Sequence, residues 1–386
     1  MIAESVSLPG LAPLQRLMLW DSLAASAAGH HVEQVEILLN RDFSREHVAA
    51  AWEETVAQTE ALRIAFLTVS GMPVGLEWAN PSALLELGDT EPPSWVFWLA
   101  ADRHRPLLAP HEVPWRAVYW QAARRFVWTF HHALLDGRSI ARILRGFLAR
   151  LSGEAAADLT LSRWSEPSPA MVAAAERIFR EMPVIAEPAM MASLHGPDEL
   201  ALRCLGTAVA NRLDSRAAAL EVTPATFLTW AWGQALAETN GTASVLVEQL
   251  RAGPPQLGTA GFTMNTLPVV IHRAAADEAV NGVRELQARL RALREIESVS
   301  PDDFPPAVFP NMDAPGSSMI MIERGTLQHL AGGEIVESLL LHEAKGTALM
   351  ATAYLLPDLR LEVEGPGRHS LLESWLRILD REIHLA

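Results

Sequence analysis

The sequence predicts a mixed α/β (α+β) protein built from two lobes, and three observations point there. At 386 residues the chain is too long for one core, given roughly 150 residues per domain. Both halves interleave apolar stripes of helical period with alternating, strand-like runs. Between them Pro167, Pro169, Pro183 and Pro188 punctuate a stretch in which both periods weaken. These observations place a first lobe at residues 1–160, a linker at 161–200 and a second lobe at 201–386.

In the first lobe, Leu11 to Ala28 reads as an opening helix with Leu14, Leu17 and Met18 on one face. Val35, Ile37 and Leu39 alternate with polar residues, as in a half-buried strand. Ser44 is a suitable N-cap for a helix whose apolar stripe is Val48, Ala51, Trp52 and Val56. "LRIAF" from Leu62 and the aromatic run from Arg125 to Phe130 read as strands. Gly137 to Leu151 reads as a helix buried through Ile140, Ile143, Leu144 and Phe147.

The linker contains one short helix, around Met171 to Arg180. In the second lobe Thr223-Pro224 starts a helix that Asn240-Gly241 ends, because proline suits a first turn and glycine a C-cap. Strands are expected near Ser244 and Phe262. A long amphipathic helix then carries Val280, Val283, Leu286, Leu290, Leu293 and Ile296. Strands near Met319, Ile335, Ala348 and Leu359 precede a closing helix with Leu372, Trp375, Leu376 and Leu379.

Composition excludes several classes of function. A net charge of −15 argues against nucleic acid, since phosphate binding needs clustered cations. The charge is uneven: residues 101–150 hold nine arginines and three acidic residues, a local excess that could receive an anionic ligand or an acidic partner. The alternative is a solvated helix face. Arg138, Arg142 and Arg145 share one side of the expected helix. The single cysteine, Cys204, cannot form an internal disulfide. No uncharged apolar run approaches the roughly 18 residues of a membrane span. Glu4, with no early basic cluster, is unlike a signal peptide. The expectation is a cytoplasmic protein with no membrane or nucleic-acid partner.

The chemistry concentrates in "FVWTFHHALLDGRSI", residues 126–140, where an aromatic strand hands over to a helix. A neutral imidazole titrates near pH 6.5 and can accept a proton at cytoplasmic pH. Neighbouring side chains at a strand end point in opposite directions, so one of His131 and His132 can face a cavity while the other packs inward. Asp136 sits at an expected helix start, where a carboxylate suits the free N–H groups. Gly137 leaves room beside that start. Adjacent histidines rarely converge on one ion and no metal-binding spacing occurs elsewhere, so no metal is expected. A second pair, His30-His31, lacks the following aspartate-glycine and reads as a loop entering a strand.

"HHALLDG" resembles the HHxxxDG signature of the condensation domains of nonribosomal peptide synthetases, within the chloramphenicol acetyltransferase-like superfamily. "PLQRLMLW" at residues 13–20 resembles the family's opening helix and "LRIAF" its LRTxF strand. The segment from Thr223 to "LRAGPP" resembles the helix and strand that end in a GRP-like loop, and "GFTMNTLPVVI" from Gly261 the asparagine-threonine-leucine segment. The resemblance implies two chloramphenicol acetyltransferase-like lobes in a pseudo-dimeric V with the active-site tunnel between them. It implies that His132 faces the tunnel as general base or positioning group, that His131 is structural, and that Asp136 pairs with Arg251 of the GRP-like loop. Gly137 would line the path of the thioester arm, with Asn265 and Thr266 in support. "LRAGPP" departs from a clean GRP sequence, and the stretch between the two motifs is shorter than is usual.

The reaction so implied is acyl transfer from a carrier-bound thioester to a small-molecule amine or alcohol, giving an amide or ester. The partner would be an acyl or peptidyl carrier protein, and the enzyme would be free-standing. No cofactor is bound; the substrate rides on phosphopantetheine. A coenzyme A-dependent O-acyltransferase and a non-catalytic recruitment domain are the alternatives. The glutamate signature of epimerising relatives is not found. Asp21-Ser22-Leu23 mimics a carrier-protein attachment site but lies inside the opening helix.

Overall fold

The opening apolar stripe forms helix α1 (Pro13–Ala24), and the alternation of Val35, Ile37 and Leu39 forms strand β1 (Val32–Leu39), with all three side chains fully buried. Ser44 caps α2 (Arg45–Ala57), its hydroxyl accepting the His47 N–H at 3.2 Å. A 3-10 turn, Glu60–Arg63, takes the first two residues of "LRIAF", so β2 (Ile64–Val69) begins late and turns back as β3 (Met72–Trp78). Next come β4 (Glu86–Leu87), α3 (Trp95–Arg103), β5 (Trp115–Trp120), β6 (Arg125–His131), α4 (Gly137–Leu151) and β7 (Thr160–Leu161). This computed structural model describes residues 10–24, 29–185, 200–253, 256–275, 278–305, 307–309, 318–323, 327, 330, 334–343, 349–356 and 358–384.

The chain continues through α5 (Pro169–Arg180), β8 (Leu200–Leu205), α6 (Gly206–Ala219) and α7 (Pro224–Asn240). Thr223 accepts the Thr226 N–H at the start of α7, and Gly241 ends it in the left-handed conformation. Then follow β9 (Ser244–Arg251), β10 (Thr259–Ala260), β11 (Asn265–His272), α8 (Ala279–Ala292), β12 (Ser318–Glu323), β13 (Val336–Glu343), β14 (Met350–Tyr354), β15 (Leu359–Glu364) and α9 (Arg368–Ile383).

The molecule divides into two compact units that are not contiguous in sequence. One comprises Met1–Trp164, Pro254–Met264 and Thr326–Gly346; the other comprises Ser165–Gly253, Asn265–Gly325 and Thr347–Ala386. The first is organised on a sheet of order β13-β1-β6-β5-β4, the second on a sheet of order β11-β9-β12-β14-β15-β8. In the first unit Trp52 of α2 meets Trp115, Phe126, Trp128 and Phe147 edge-on, with ring centroids 5.1 to 5.7 Å apart. Phe126 and Trp128 therefore face the helices. Their register partners on β1, Ile37 and Val35, lie on the same face.

This division corrects the expected boundaries at 160 and 201. The stretch 161–200 is not all linker. Pro169 occupies the first turn of α5 behind the Ser168 cap, a position that tolerates a missing N–H. α5 buries Ala175 and Phe179 fully in the second unit's core. Residues 186–199 of that stretch, including Pro188, lie outside the described residues, as do 25–28 of the opening helix. The second lobe also gives up two segments. β13 completes the free edge of β1, and β10 pairs with β7, both inside the first unit.

The arginine excess at 101–150 is largely neutralised within the first unit. Asp102, almost fully buried, accepts from Arg116 at 2.7 Å and Arg105 at 3.2 Å. Arg125 pairs with Glu36, and Arg124 lies 3.5 Å from Glu337. Arg142 donates to the Thr259 carbonyl at 2.7 Å. The shared face with Arg138 and Arg145 is thus drawn partly into packing, and the expected cationic patch is not a continuous one.

If α5 is a core helix, Phe179→Ala lowers unfolding free energy by about 3–5 kcal/mol, the usual cost of emptying a buried phenylalanine site. Urea denaturation followed by tryptophan fluorescence measures it; a linker residue would give a change within about 0.5 kcal/mol.

Candidate active site

Strand β6 ends in the histidine pair, and the two rings part company there. His131 is 1% exposed. Its Nε2 lies 2.9 Å from Ser22 Oγ and its Nδ1 accepts the Ala133 N–H at 3.2 Å. Burial, helped by nearby His31 and His132, pushes it down to about 3. His131 is therefore a neutral, enclosed group that ties α1 to the strand end.

His132 opens the short 3-10 turn His132–Leu134. Its backbone N–H donates to the His31 carbonyl at 2.6 Å, and its ring meets Phe262 edge-on at 5.8 Å. The side chain is 22% exposed. Its Nδ1 lies 2.9 Å from Glu33 Oε1, an ion-pair distance reached obliquely to the ring N–H direction.

Four residues here are not expected at the site from sequence. His31 and Asp21, 2.8 Å apart, stand beside the motif. His31 adopts φ +52°, a left-handed value uncommon outside glycine. Its ring, against that of His131 at 6.3 Å, is pushed down by burial while Asp21 opposes the shift. Ser22 holds His131. Glu33 has a readable signal: it is in phase with Val35, Ile37 and Leu39, an acid on the inward stripe of β1.

Asp136 caps α4 and is 3% exposed. Its Oδ1 accepts the Ser139 N–H at 2.9 Å; Oδ2 accepts the Thr263 hydroxyl at 3.1 Å and the Thr263 N–H at 3.4 Å. The Asp136 N–H donates to the Gly261 carbonyl, and the Gly261 N–H returns to Ser139 Oγ at 3.0 Å. A side chain at Gly261 would meet Ser162 Cβ at 3.0 Å, so this segment needs glycine. The clamp holds Phe262 against His132. Gln15 of "PLQRLMLW" fixes the turn from the other side, donating to the Ala133 carbonyl at 2.8 Å. Gly137 is the first residue of α4.

Asp136 belongs to the first unit and Arg251 to the second, and each has partners within its own unit. Asp136 is saturated by Ser139 and Thr263, whereas Arg251, at the end of β9, pairs with Glu297 through Nε at 3.1 Å and Nη2 at 2.5 Å. Asn265 donates to the Glu297 and Val299 carbonyls at 3.0 Å, bracing the same corner of the second unit. The carboxylate is enclosed by its own helix start and the returning 261–263 segment. Pro254 and Pro255 of "LRAGPP" lie outside the described residues. No set of three histidine, cysteine or acidic side chains among the described residues is placed to hold a metal ion.

Solved structures share this arrangement of elements. The first condensation domain of the calcium-dependent antibiotic (CDA) synthetase superimposes with a TM-score of 0.74, covering 99% of this chain and 97% of that one at 18% identity. This chain has the condensation-domain fold. A structure described as showing condensation domain-mediated chain release from the enacyloxin polyketide synthase matches the fold with a TM-score of 0.73 over 99% of this chain and 84% of that one, at 19% identity. In sequence, one of the linear gramicidin synthase polypeptides of Brevibacillus parabrevis is 27% identical over 323 residues, 73% of this chain and 4% of that protein. Nonribosomal peptide synthetase 5 of Aspergillus fumigatus is 27% identical over 198 residues, 45% of this chain and 9% of that protein. The chain thus spans a small part of the curated relatives that it matches. No family model matches. No helix among the described residues is long and apolar enough to cross a membrane.

Two measurements test the site's construction. His131 is held near 3 in the folded state against about 6.5 unfolded, so below pH 6.5 the unfolded chain binds a proton that the folded one refuses. Its contribution to stability is complete above 6.5 and is lost as pH falls toward 3, at about 1.4 kcal/mol per pH unit. His131→Asn flattens that slope in denaturation at stepped pH. A double-mutant cycle of Asp136→Ala with Thr263→Val gives a coupling of about 0.5–3 kcal/mol, and Asp136→Ala alone costs at least the cap, about 0.5–2 kcal/mol.

Proposed function

We propose that the chain is an acyltransferase that moves an acyl group from a carrier-bound thioester to an amine or hydroxyl acceptor, with His132 as the general base. The observation that carries this reading is the contrast within one motif. His131 is enclosed and neutral, whereas His132 is partly exposed on a braced turn with a carboxylate at Nδ1. The condensation-domain fold supplies the class of chemistry. A thioester is already activated, so no enzyme-bound acyl intermediate is needed.

His132 Nε2 takes the proton of the acceptor nitrogen or oxygen as that atom bonds to the thioester carbonyl carbon. The tetrahedral adduct expels the thiolate, breaking the carbon–sulfur bond, and the imidazolium returns the proton to sulfur. The products are an amide or ester and the free phosphopantetheine thiol. Orientation and proton removal are the enzyme's contributions. Asp136 belongs to the frame that holds His132. Gly137 gives the arm passage beside the start of α4. The acyl group arrives on the phosphopantetheine of a carrier protein, and no bound cofactor takes part.

The test uses octanoyl-loaded and aminoacyl-loaded carrier domains, with intact-protein mass spectrometry following the transfer. The wild type forms the acylated product. His132→Ala lowers the rate by about 10²–10⁴-fold in a chain that remains folded, as its circular dichroism reports. Transfer undiminished in His132→Ala overturns the reading.

A further inference from the structure

We propose that Glu33 is the positioning residue of His132: its buried carboxylate orients the ring through Nδ1 and supports the imidazolium formed as the ring takes a proton. The inference rests on the acyl-transfer reading and goes beyond it by naming a residue outside the HHxxxDG motif.

Strand register delivers the carboxylate. Glu33 stands opposite Phe130 in the β1–β6 pairing, and His132 is two residues further on, so Glu33 and the imidazole share the diagonal of one face. That face is the apolar one, lined by Phe126, Trp128 and Phe130. An ionised carboxylate there requires a compensating group, and among the described residues its oxygen reaches His132, 2.9 Å away.

The contrast with Asp136 separates positioning from support. Asp136 accepts three hydrogen bonds that hold the backbone together. Glu33 Oε2 is buried and meets no hydrogen-bond donor among the described residues. A carboxylate that braces no backbone, yet sits on an apolar face against the one partly exposed imidazole of the motif, is placed for that imidazole. Catalytic hydrogen bonds commonly reach their best alignment only in the reacting complex. The other ionisable groups beside the motif among the described residues are His31 with Asp21, neutral His131 and capped Asp136.

Glu33→Gln keeps the shape and an acceptor atom but removes the charge; Glu33→Ala removes both. With octanoyl and aminoacyl carrier domains as substrates, Glu33→Gln lowers kcat at least about tenfold, within the range general-base help supplies, and leaves KM for both carriers within about twofold. Glu33→Ala falls toward the level of His132→Ala, so the glutamine recovers part of the loss. A nearby carboxylate favours the protonated ring. The acid limb of the kcat/KM profile therefore moves to lower pH in Glu33→Gln. Melting temperatures report folding, and Glu33→Gln alone suffices if Glu33→Ala does not fold. A Glu33→Gln enzyme with wild-type kcat and an unmoved acid limb overturns the proposal. So does a loss that appears in KM or tracks melting temperature. Failure of the wild type to transfer at all overturns the acyl-transfer reading, and the Glu33 role with it; an active wild type with inactive His132→Ala isolates Glu33.

Discussion

The carboxylate of Asp136 is the constraint on which the first unit's site depends. It starts α4 by accepting the Ser139 N–H, and it holds the 261–263 segment by accepting from Thr263. That clamp fixes Phe262 beside His132. The glycine at 261 allows the approach to Ser162 that the clamp requires. A charge-assisted bond of this kind is stronger than a neutral one, and here its anion also faces a helix N-terminus. What these contacts show of the carboxylate is architectural: it holds backbone to backbone.

Two neighbouring histidines reach opposite ends of the range of environments for one reason. The strand ends between them, so His131 is still pointed by the pleat while His132 is pointed by a turn. Burial holds the first neutral and gives it a fixed partner on α1. The second keeps partial exposure and a carboxylate neighbour. One titratable group thus sits in a dry setting and the other beside a charge, surroundings that act differently on an imidazole.

Charges elsewhere follow a different logic. Asp102 gathers Arg105, Arg116, Gln34 and Thr129 on the sheet face opposite Glu33. Both oxygens of that buried carboxylate are hydrogen-bonded, as an interior ion requires. The set uses arginines that, counted along the chain, looked like a surface patch. Local sequence charge and surface potential parted because the acids that neutralise it, such as Glu36 and Glu337, lie far away in sequence.

Much of this protein was legible in its residues. Helices α2, α4 and α7 begin at the caps that Ser44, Asp136 and Thr223 announce, because capping and apolar period act over a few residues. The histidine motif was legible for the same reason, as was the two-unit plan. Glu33 was overlooked because its neighbour is set by strand register, not by spacing. That Thr263 meets Asp136 depended on the 261–263 segment coming back to the helix start. Whether 161–200 was linker or core depended on Phe179 finding a cavity to fill. Sequence determined which elements form and where the histidine pair falls; only the tertiary pairing of β1 with β6 decided that Glu33 stands beside His132, since that contact joins residues about a hundred positions apart.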